Sequence, residues 1–223
     1  MKSIPDKKLH IFDIDDTLTS TKYAYFSSYI DIASAEFKIS ETDALRIFED
    51  LLLIYGSGNY TKIFKGFCTI LGFEHLYDEV NRLSNLFEEK FWQRLKLEDG
   101  ALTYLNKLQK KSYLLGIATN GYANSQKLKL SRLKINYFFK PAFRMISSEI
   151  GCSKPDPTML KLILKNAKIP AEQAVYYGNN LSDFLAAKHA DIDFVLYNGS
   201  QYKDDKVGEL SLPYVIQSWQ EII

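Results

Sequence analysis

The sequence predicts an α/β protein with a three-layer, Rossmann-like core around a parallel sheet, interrupted by an inserted all-helical segment. Three observations predict this class. From about residue 98 onwards, continuous apolar runs alternate with segments of helical spacing, as is typical of parallel strands covered by helices on both faces. Residues 8–14 form a similar apolar run. Between these parts, residues 21–95 show helical spacing and no convincing strand.

The composition is that of an ordinary globular chain of 223 residues, 46% hydrophobic and 25% charged. The formal net charge of +1 argues against a nucleic acid or a membrane surface as partner. Cys68 and Cys152 lie far apart, which favours a reducing compartment. The N-terminus carries no apolar signal segment, and no run is long enough to span a bilayer. We therefore expect a cytoplasmic protein without membrane contact. We also expect a monomer or a homodimer.

The elements can be assigned in order along the chain. Strands are predicted at 8–14, 113–119, 143–147, 174–178 and 194–198. Helices of the core are predicted at about 101–111, 123–133, 157–168 and 182–190, with a short capped helix in the final "SWQEII".

The insert is predicted to hold helices at about 41–55, 61–71 and 74–91. Ser40 and Asp43 have the spacing of a capping box that opens the first of these helices. The stretch "GSGN" at 56–59 ends it. The expected domains are thus 1–19 with 98–223, and 20–97.

Polar residues suited to phosphoryl chemistry follow the predicted strands, where open α/β sheets bind their ligands. Several carboxylates near a buried strand end require a positive partner, and Mg²⁺ prefers oxygen ligands of this kind. A carboxylate can attack phosphorus, a second can act as acid and base, and a lysine can offset charge. The candidates are Asp13, Asp15, Asp16 and Thr17, then Thr119, Asn120 and Gly121, then Lys154, and finally Asn179 and Asp183.

These motifs, in this order around a helical insert, resemble those of the haloacid dehalogenase-like hydrolase superfamily over nearly the whole chain. "FDIDDTLT" resembles its first motif, which implies Asp13 as nucleophile and metal ligand. It also implies Asp15 as general acid and base, with a main-chain carbonyl that binds the metal. "IATNG" resembles the second motif, which implies Thr119, Asn120 and the adjoining Gly121 as phosphate binders.

The remaining two motifs and the insert extend the resemblance. Lys154 in "SKPDP" resembles the lysine of the third motif, and "YYGNNLSD" resembles the fourth. The fourth motif implies Asn179 and Asp183 as metal ligands. The helical insert resembles a cap of the C1 type, which is expected to close over the site.

The resemblance implies a Mg²⁺-dependent phosphatase that hydrolyses a small phosphorylated metabolite through an aspartyl-phosphate. The stretch "ATNGYANSQKLKLSRLKINYFF" at 118–139 resembles nucleotidase-like members, so a nucleoside monophosphate is the first substrate candidate and a sugar phosphate the second. Asp15 argues against carbon–halogen cleavage, because the dehalogenases of the family lack an acid there.

The fourth motif departs from the family at one position. Asn179 stands where the family normally has an aspartate, so one negative charge is lost. The consequence is either weaker metal binding or loss of turnover. The alternatives are therefore a phosphosugar mutase of the same superfamily, or a catalytically impaired binding or regulatory homologue. A plainer interpretation of Asn179 and Asp183 is that they cap the helix that follows.

Overall fold

The computed structural model describes residues 6–56, 60–72, 77–200, 205–208 and 210–223. The chain divides into two compact units. One contains Met1–Ser20 and Lys96–Ile223, and the other is Thr21–Leu95.

In its described residues, the unit Thr21–Leu95 is all-helical. Its helices are α1 (Thr21–Phe37), α2 (Glu41–Tyr55), α3 (Tyr60–Ile70) and α4 (Tyr77–Arg94). The predicted helices at 41–55 and 61–71 are confirmed within one residue. The start of the third, at 74–76, and most of the "GSGN" break lie outside the described residues.

Aromatic side chains hold the helical unit together. The ring of Tyr29 packs against Phe48, Phe64 and Phe87 with centroid separations of 4.0, 4.9 and 4.3 Å. Ser40 caps α2 as predicted, since its hydroxyl accepts a hydrogen bond from the Asp43 backbone N–H at 3.1 Å. The Asp43 carboxylate accepts from the Ser40 hydroxyl, whereas in a capping box it would accept from the Ser40 backbone N–H, so the N-cap is confirmed and the full box is not.

The other unit is built on a parallel sheet, which confirms the predicted fold class. Its strands in the described residues are β1 (Leu9–Phe12), β2 (Leu114–Thr119), β3 (Arg144–Ile146), β4 (Ala174–Gly178), β5 (Asp193–Tyr197) and β6 (Val215–Ile216). They lie in the order β3-β2-β1-β4-β5-β6. Phe12 of β1 lies opposite Ile117 of β2 and Tyr177 of β4. The order reverses between β1 and β4, and such a switch point is where doubly wound sheets bind ligands.

Helices cover both faces of this sheet. They are α5 (Ala101–Lys110), α6 (Ala123–Arg132), α7 (Ser147–Ile150), α8 (Thr158–Ala167), α9 (Leu181–His189) and α10 (Asp205–Gly208). Successive residues of a strand point to opposite faces, so β1 contributes to two separate apolar clusters. Phe12 packs with α5 residues such as Leu105. Leu9 and Ile11 pack with residues of α8 and α9, including Ile163.

The C-terminal segment packs under the turn that follows β1. The predicted capped end is present as a 3-10 helix at Trp219–Ile222, with Ser218 as its cap. The indole N–H of Trp219 donates to the main-chain carbonyl of Thr17 at 3.0 Å. The buried indole ring also lies 5.8 Å from Phe12. Across the described ranges, no helix is both long and apolar enough to cross a bilayer.

Candidate active site

The turn after β1 carries the first pair of candidate carboxylates. The carbonyl of Ile14 accepts hydrogen bonds from the backbone N–H groups of Leu18 and Thr19, at 3.0 and 3.1 Å. Asp16 adopts a left-handed conformation, with φ of 55°, which aspartate tolerates better than most residues. Its N–H donates to the Thr19 carbonyl at 2.8 Å. Asp16 therefore belongs to the structure of the turn that presents Asp13 and Asp15.

The Lys154 side chain joins the ends of β1 and β4. Its Nζ lies 2.8 Å from Asp13 Oδ1, 2.6 Å from Asp183 Oδ1 and 3.0 Å from the Tyr176 hydroxyl. All four side chains are buried. A buried ammonium is stable only when it is paired and hydrogen-bonded, and here its three N–H groups each have an acceptor. Lys154 is therefore a positive partner of the kind expected from the sequence for the carboxylates at the buried strand end.

The charges of this cluster shift one another's ionisation. Burial raises the pKa of the Asp13 carboxyl above its usual value, while the nearby Lys154 ammonium pulls that pKa back down. Burial by itself lowers the pKa of Lys154, but Asp13 and Asp183 together raise it above its usual value. The lysine is thus held as an ammonium.

The Asn120 side chain braces Lys154 from the end of β2. Its Oδ1 accepts from the Lys154 backbone N–H at 2.9 Å, and its Nδ2 donates to the Lys154 carbonyl at 3.2 Å. Thr119 is the buried last residue of β2, and its hydroxyl lies 3.4 Å from the Asn120 carbonyl. The Gly121 N–H donates to the Ser147 hydroxyl at 2.9 Å. The second motif is therefore brought to the same edge of the sheet as Lys154.

Asp183 both caps α9 and pairs with Lys154. With Asn180 it forms a capping box: Asp183 N–H donates to Asn180 Oδ1 at 3.0 Å, and Asp183 Oδ2 accepts from Asn180 N–H at 3.2 Å. Asp183 Oδ2 also accepts from Asn179 N–H at 3.0 Å. Gly178 makes this close approach possible, since a Cβ there would lie 2.5 Å from Asp183 Cγ. A carboxylate offers about four acceptor positions, and Lys154 and the two backbone amides fill three. The Tyr176 hydroxyl, 2.9 Å from Asp183 Oδ1, fills the fourth unless it donates to the Ala118 carbonyl instead. A position remains for a metal ion only in that second case.

The side-chain amide oxygen of Asn179 makes only long hydrogen-bond contacts among those described. Its Oδ1 accepts from the Thr17 hydroxyl and from Asn180 Nδ2, both at 3.4 Å. These long contacts leave the oxygen able to bind a cation. In the residues that the structure describes, no three His, Cys, Asp or Glu side chains form a metal-ligand group. The oxygens that could hold Mg²⁺ are those of the Asp13 carboxylate, the Asn179 amide and the Asp15 main-chain carbonyl, which are hard donors of the kind that this ion prefers.

Asp15 is held by two residues of α6 that sequence reasoning missed. Lys129 Nζ lies 2.5 Å from Asp15 Oδ1, and Gln126 Nε2 lies 2.8 Å from Asp15 Oδ2. Both α6 side chains are buried. The available signal was their three-residue spacing, which puts both on one helix face. Tyr176 was also missed, because within the apolar run "AVYYG" it is indistinguishable from a core residue.

Comparison with known proteins places these features in a family. The family model described as haloacid dehalogenase-like hydrolase matches residues 10–197. A glyceraldehyde 3-phosphate phosphatase of Methanocaldococcus jannaschii is 30% identical to this chain, over 96% of it and 94% of the relative.

Solved structures share the fold. A structure from Thermotoga maritima described as a beta-phosphoglucomutase aligns with a TM-score of 0.77 at 20% identity, covering 96% of both chains. A magnesium-bound HAD-hydrolase of Bacillus subtilis aligns with a TM-score of 0.70 at 21% identity, over 98% of this chain and 97% of the other.

Proposed function

Because the chain belongs to the haloacid dehalogenase-like hydrolases, we propose that it is a phosphatase that hydrolyses a small phosphomonoester through an aspartyl-phosphate. The observation that carries the proposal is the buried Lys154 ammonium, 2.8 Å from Asp13 Oδ1 at the end of β1. A carboxylate attacking a phosphoryl group needs such a cation, since negative charge accumulates on both groups. We also propose that the helical unit Thr21–Leu95 is the C1-type cap of this family.

The reaction has two halves. In the first, an Asp13 oxygen bonds to phosphorus, the bond from phosphorus to the alcohol oxygen breaks, and Asp15 gives that oxygen a proton. In the second, water attacks phosphorus, the bond from phosphorus to Asp13 breaks, and Asp15 takes a proton from the water. Lys154 offsets charge throughout, and Thr119, Asn120 and Gly121 are proposed to bind the phosphoryl oxygens.

Mg²⁺ is the proposed cofactor. We assign it to the side-chain oxygens of Asp13 and Asn179 and the main-chain carbonyl of Asp15. Asp183 contributes the fourth acceptor position of its carboxylate, which is open when the Tyr176 hydroxyl donates to the Ala118 carbonyl. Bound there, the ion supplies positive charge against the phosphoryl oxygens. The oxygen donors carry this choice, and the Bacillus subtilis structure of the same fold is described as bound to magnesium.

The proposed substrate is a small sugar phosphate. The name of the Methanocaldococcus jannaschii relative, glyceraldehyde 3-phosphate phosphatase, supports this class ahead of the nucleoside monophosphate suggested by residues 118–139. A mutase remains the second candidate, because the Thermotoga maritima structure described as a beta-phosphoglucomutase has the same fold. At 20% identity that likeness concerns the fold alone.

The test is release of inorganic phosphate from a panel that includes glyceraldehyde 3-phosphate, phosphoglycolate, glucose 1-phosphate, nucleoside monophosphates and p-nitrophenyl phosphate. Each is assayed with Mg²⁺ and with chelator. The variant is Asp13→Asn, and the matched control is Asp191→Asn, which alters an exposed aspartate of the same unit.

Phosphate release that needs Mg²⁺ and Asp13 and survives Asp191→Asn is the expected result. Accumulation of a bisphosphate intermediate without net phosphate release indicates a mutase. If the folded protein turns over none of these substrates, the proposal that it is a phosphatase is wrong. Recovery of turnover in Asn179→Asp then assigns the impairment to the metal site.

A further inference from the structure

We propose that Lys129 and Gln126 are positioning residues that hold Asp15 for the second half of the reaction, the hydrolysis of the aspartyl-phosphate. This inference rests on the proposed function, because it assigns a task within that reaction. Neither residue lies in any of the four sequence motifs described above.

The two residues engage both oxygens of the Asp15 carboxylate. Lys129 donates to Oδ1 and Gln126 to Oδ2, at 2.5 and 2.8 Å. Gln126 Nε2 also lies 3.1 Å from the Asn120 carbonyl, so each of its two N–H groups has an acceptor. The amide is therefore oriented from the end of β2, and the Asp15 carboxylate cannot rotate without breaking two hydrogen bonds.

Burial separates this pair from an ordinary surface ion pair. The Lys129 side chain is 6% exposed and that of Asp15 30% exposed. On the same helix, Lys127 is 55% exposed and pairs with Glu149. Exposed pairs contribute little to stability, whereas an ammonium withdrawn from water requires its partner. Helix α6 thus buries Lys129 against Asp15, and we infer that the position serves Asp15 itself.

The hydrogen bonds that Asp15 accepts favour a role in the second half of the reaction. Both Asp15 oxygens accept from N–H donors, which is the pattern of a carboxylate, whereas a carboxylic acid presents an O–H of its own. A carboxylate is the form that takes a proton from water. The arrangement therefore prepares Asp15 as the base that activates water against the Asp13-bound phosphoryl group.

This assignment has a kinetic signature. The ratio kcat/KM covers the steps up to departure of the alcohol, whereas kcat also includes hydrolysis of the phosphorylated enzyme. Lys129→Met is expected to lower kcat by about 10- to 100-fold, the scale of a misplaced catalytic group. KM should fall in parallel. With p-nitrophenyl phosphate, kcat/KM should stay within about threefold of wild type, because p-nitrophenolate departs without needing a proton from Asp15.

The experiment follows p-nitrophenyl phosphate turnover by stopped flow, with acid quench and mass spectrometry to detect phosphorylated protein. The variants are Lys129→Met, Lys129→Arg and Gln126→Leu, and Lys127→Met is the matched control on the exposed side of α6. Lys129→Met is expected to show a burst of p-nitrophenol and accumulated phosphoenzyme, Gln126→Leu a smaller effect of the same kind, and Lys129→Arg partial recovery.

Equal losses of kcat and kcat/KM without a burst would mean that Lys129 only supports the structure, and would overturn the inference. Unchanged kinetics would overturn it as well. If Lys129→Met does not fold, Gln126→Leu decides by the same criteria. A wild-type protein without turnover refutes the proposed function and this inference together, whereas an active wild type with an unaffected variant refutes the inference alone.

Discussion

The hydroxyl of Tyr176 lies 3.0 Å from Lys154 Nζ and 2.9 Å from Asp183 Oδ1. It accepts one proton of the ammonium and donates its own either to Asp183 or to the Ala118 carbonyl, which is also 2.9 Å away. The phenol therefore supplies the third acceptor of a fully buried lysine. Lys154 depends on a residue inside β4 as well as on its two carboxylate partners.

Tyr176→Phe should weaken both stability and turnover. The ring is kept, but Lys154 loses an acceptor, so we expect a loss of about 1–3 kcal/mol in the free energy of unfolding and reduced phosphate release. Urea unfolding and the phosphate assay measure the two effects. Tyr137→Phe, at an exposed tyrosine of the same unit, is the control, and equal stability of the two variants would contradict the prediction.

Gly178→Ala should impair the site by displacing Asp183. The added Cβ would lie 2.5 Å from Asp183 Cγ, and such overpacking costs about 1–3 kcal/mol. Because Asp183 must then withdraw from Lys154, activity should fall with stability. Gly151→Ala is the control: its φ of +79° is strained but the Cβ would meet nothing within 4 Å, so it should lower stability alone. Full activity in Gly178→Ala would show that Asp183 can move without consequence.

Asn179→Asp should strengthen Mg²⁺ binding. A carboxylate replaces a neutral amide oxygen, so the Mg²⁺ concentration for half-maximal activity should fall about tenfold or more. In chelator the variant should be less stable than wild type, because the added charge lies near Asp13 and Asp183 without a cation. Mg²⁺ titrations of activity and of Tm measure both effects. Asn180→Asp adds the same charge one residue away and should not shift the titration comparably.

His10 should make stability fall on acidification. Burial lowers its pKa from 6.5 to about 4. Between these values the unfolded chain binds the proton and the folded one does not, so the free energy of unfolding decreases as pH falls through this window. The full effect is about 3 kcal/mol at about 1.4 kcal/mol per unit. The groups that face the ring are the Tyr177 hydroxyl, the Lys7 carbonyl, Tyr104, Tyr113, Asp6 and Lys111.

The measurement is urea unfolding of wild type and His10→Gln at pH values from 7 to 4. The variant cannot titrate at this position, so its stability should depend less on pH. Parallel curves for the two proteins would exclude His10 as the source of the acid sensitivity.

The strands that could be predicted from the sequence are those formed by an uninterrupted run of apolar residues. The strands β1 to β5 are apolar runs bounded by turn residues, and each was recognised within two residues. The strand β6 was not, because Val215 and Ile216 are too few to show a period and pair with the sheet only through β5. Helix α1 was expected only as part of a helical region, since sparse punctuation between 21 and 40 gave no boundary.

The site was predictable where chemistry follows strand ends, as with Asp13 and Lys154, which the fold brings into direct contact. Lys129, Gln126 and Tyr176 were not predictable, because each reaches the site through tertiary packing from a helix face or a strand interior. The bracing of Lys154 by Asn120 also depends on a contact across 34 residues. Such relationships have no local pattern in the sequence.

The hydrogen bond from the Trp219 indole to the Thr17 carbonyl makes the fluorescence of Trp219 an intrinsic reporter of the turn after β1. The chain has two tryptophans, and Trp92 belongs to the helical unit whereas Trp219 belongs to the α/β unit. In Trp92→Phe the remaining indole emission comes from beside the turn that carries Asp13 and Asp15. Fluorescence can therefore follow that turn separately from the helices, with no label attached.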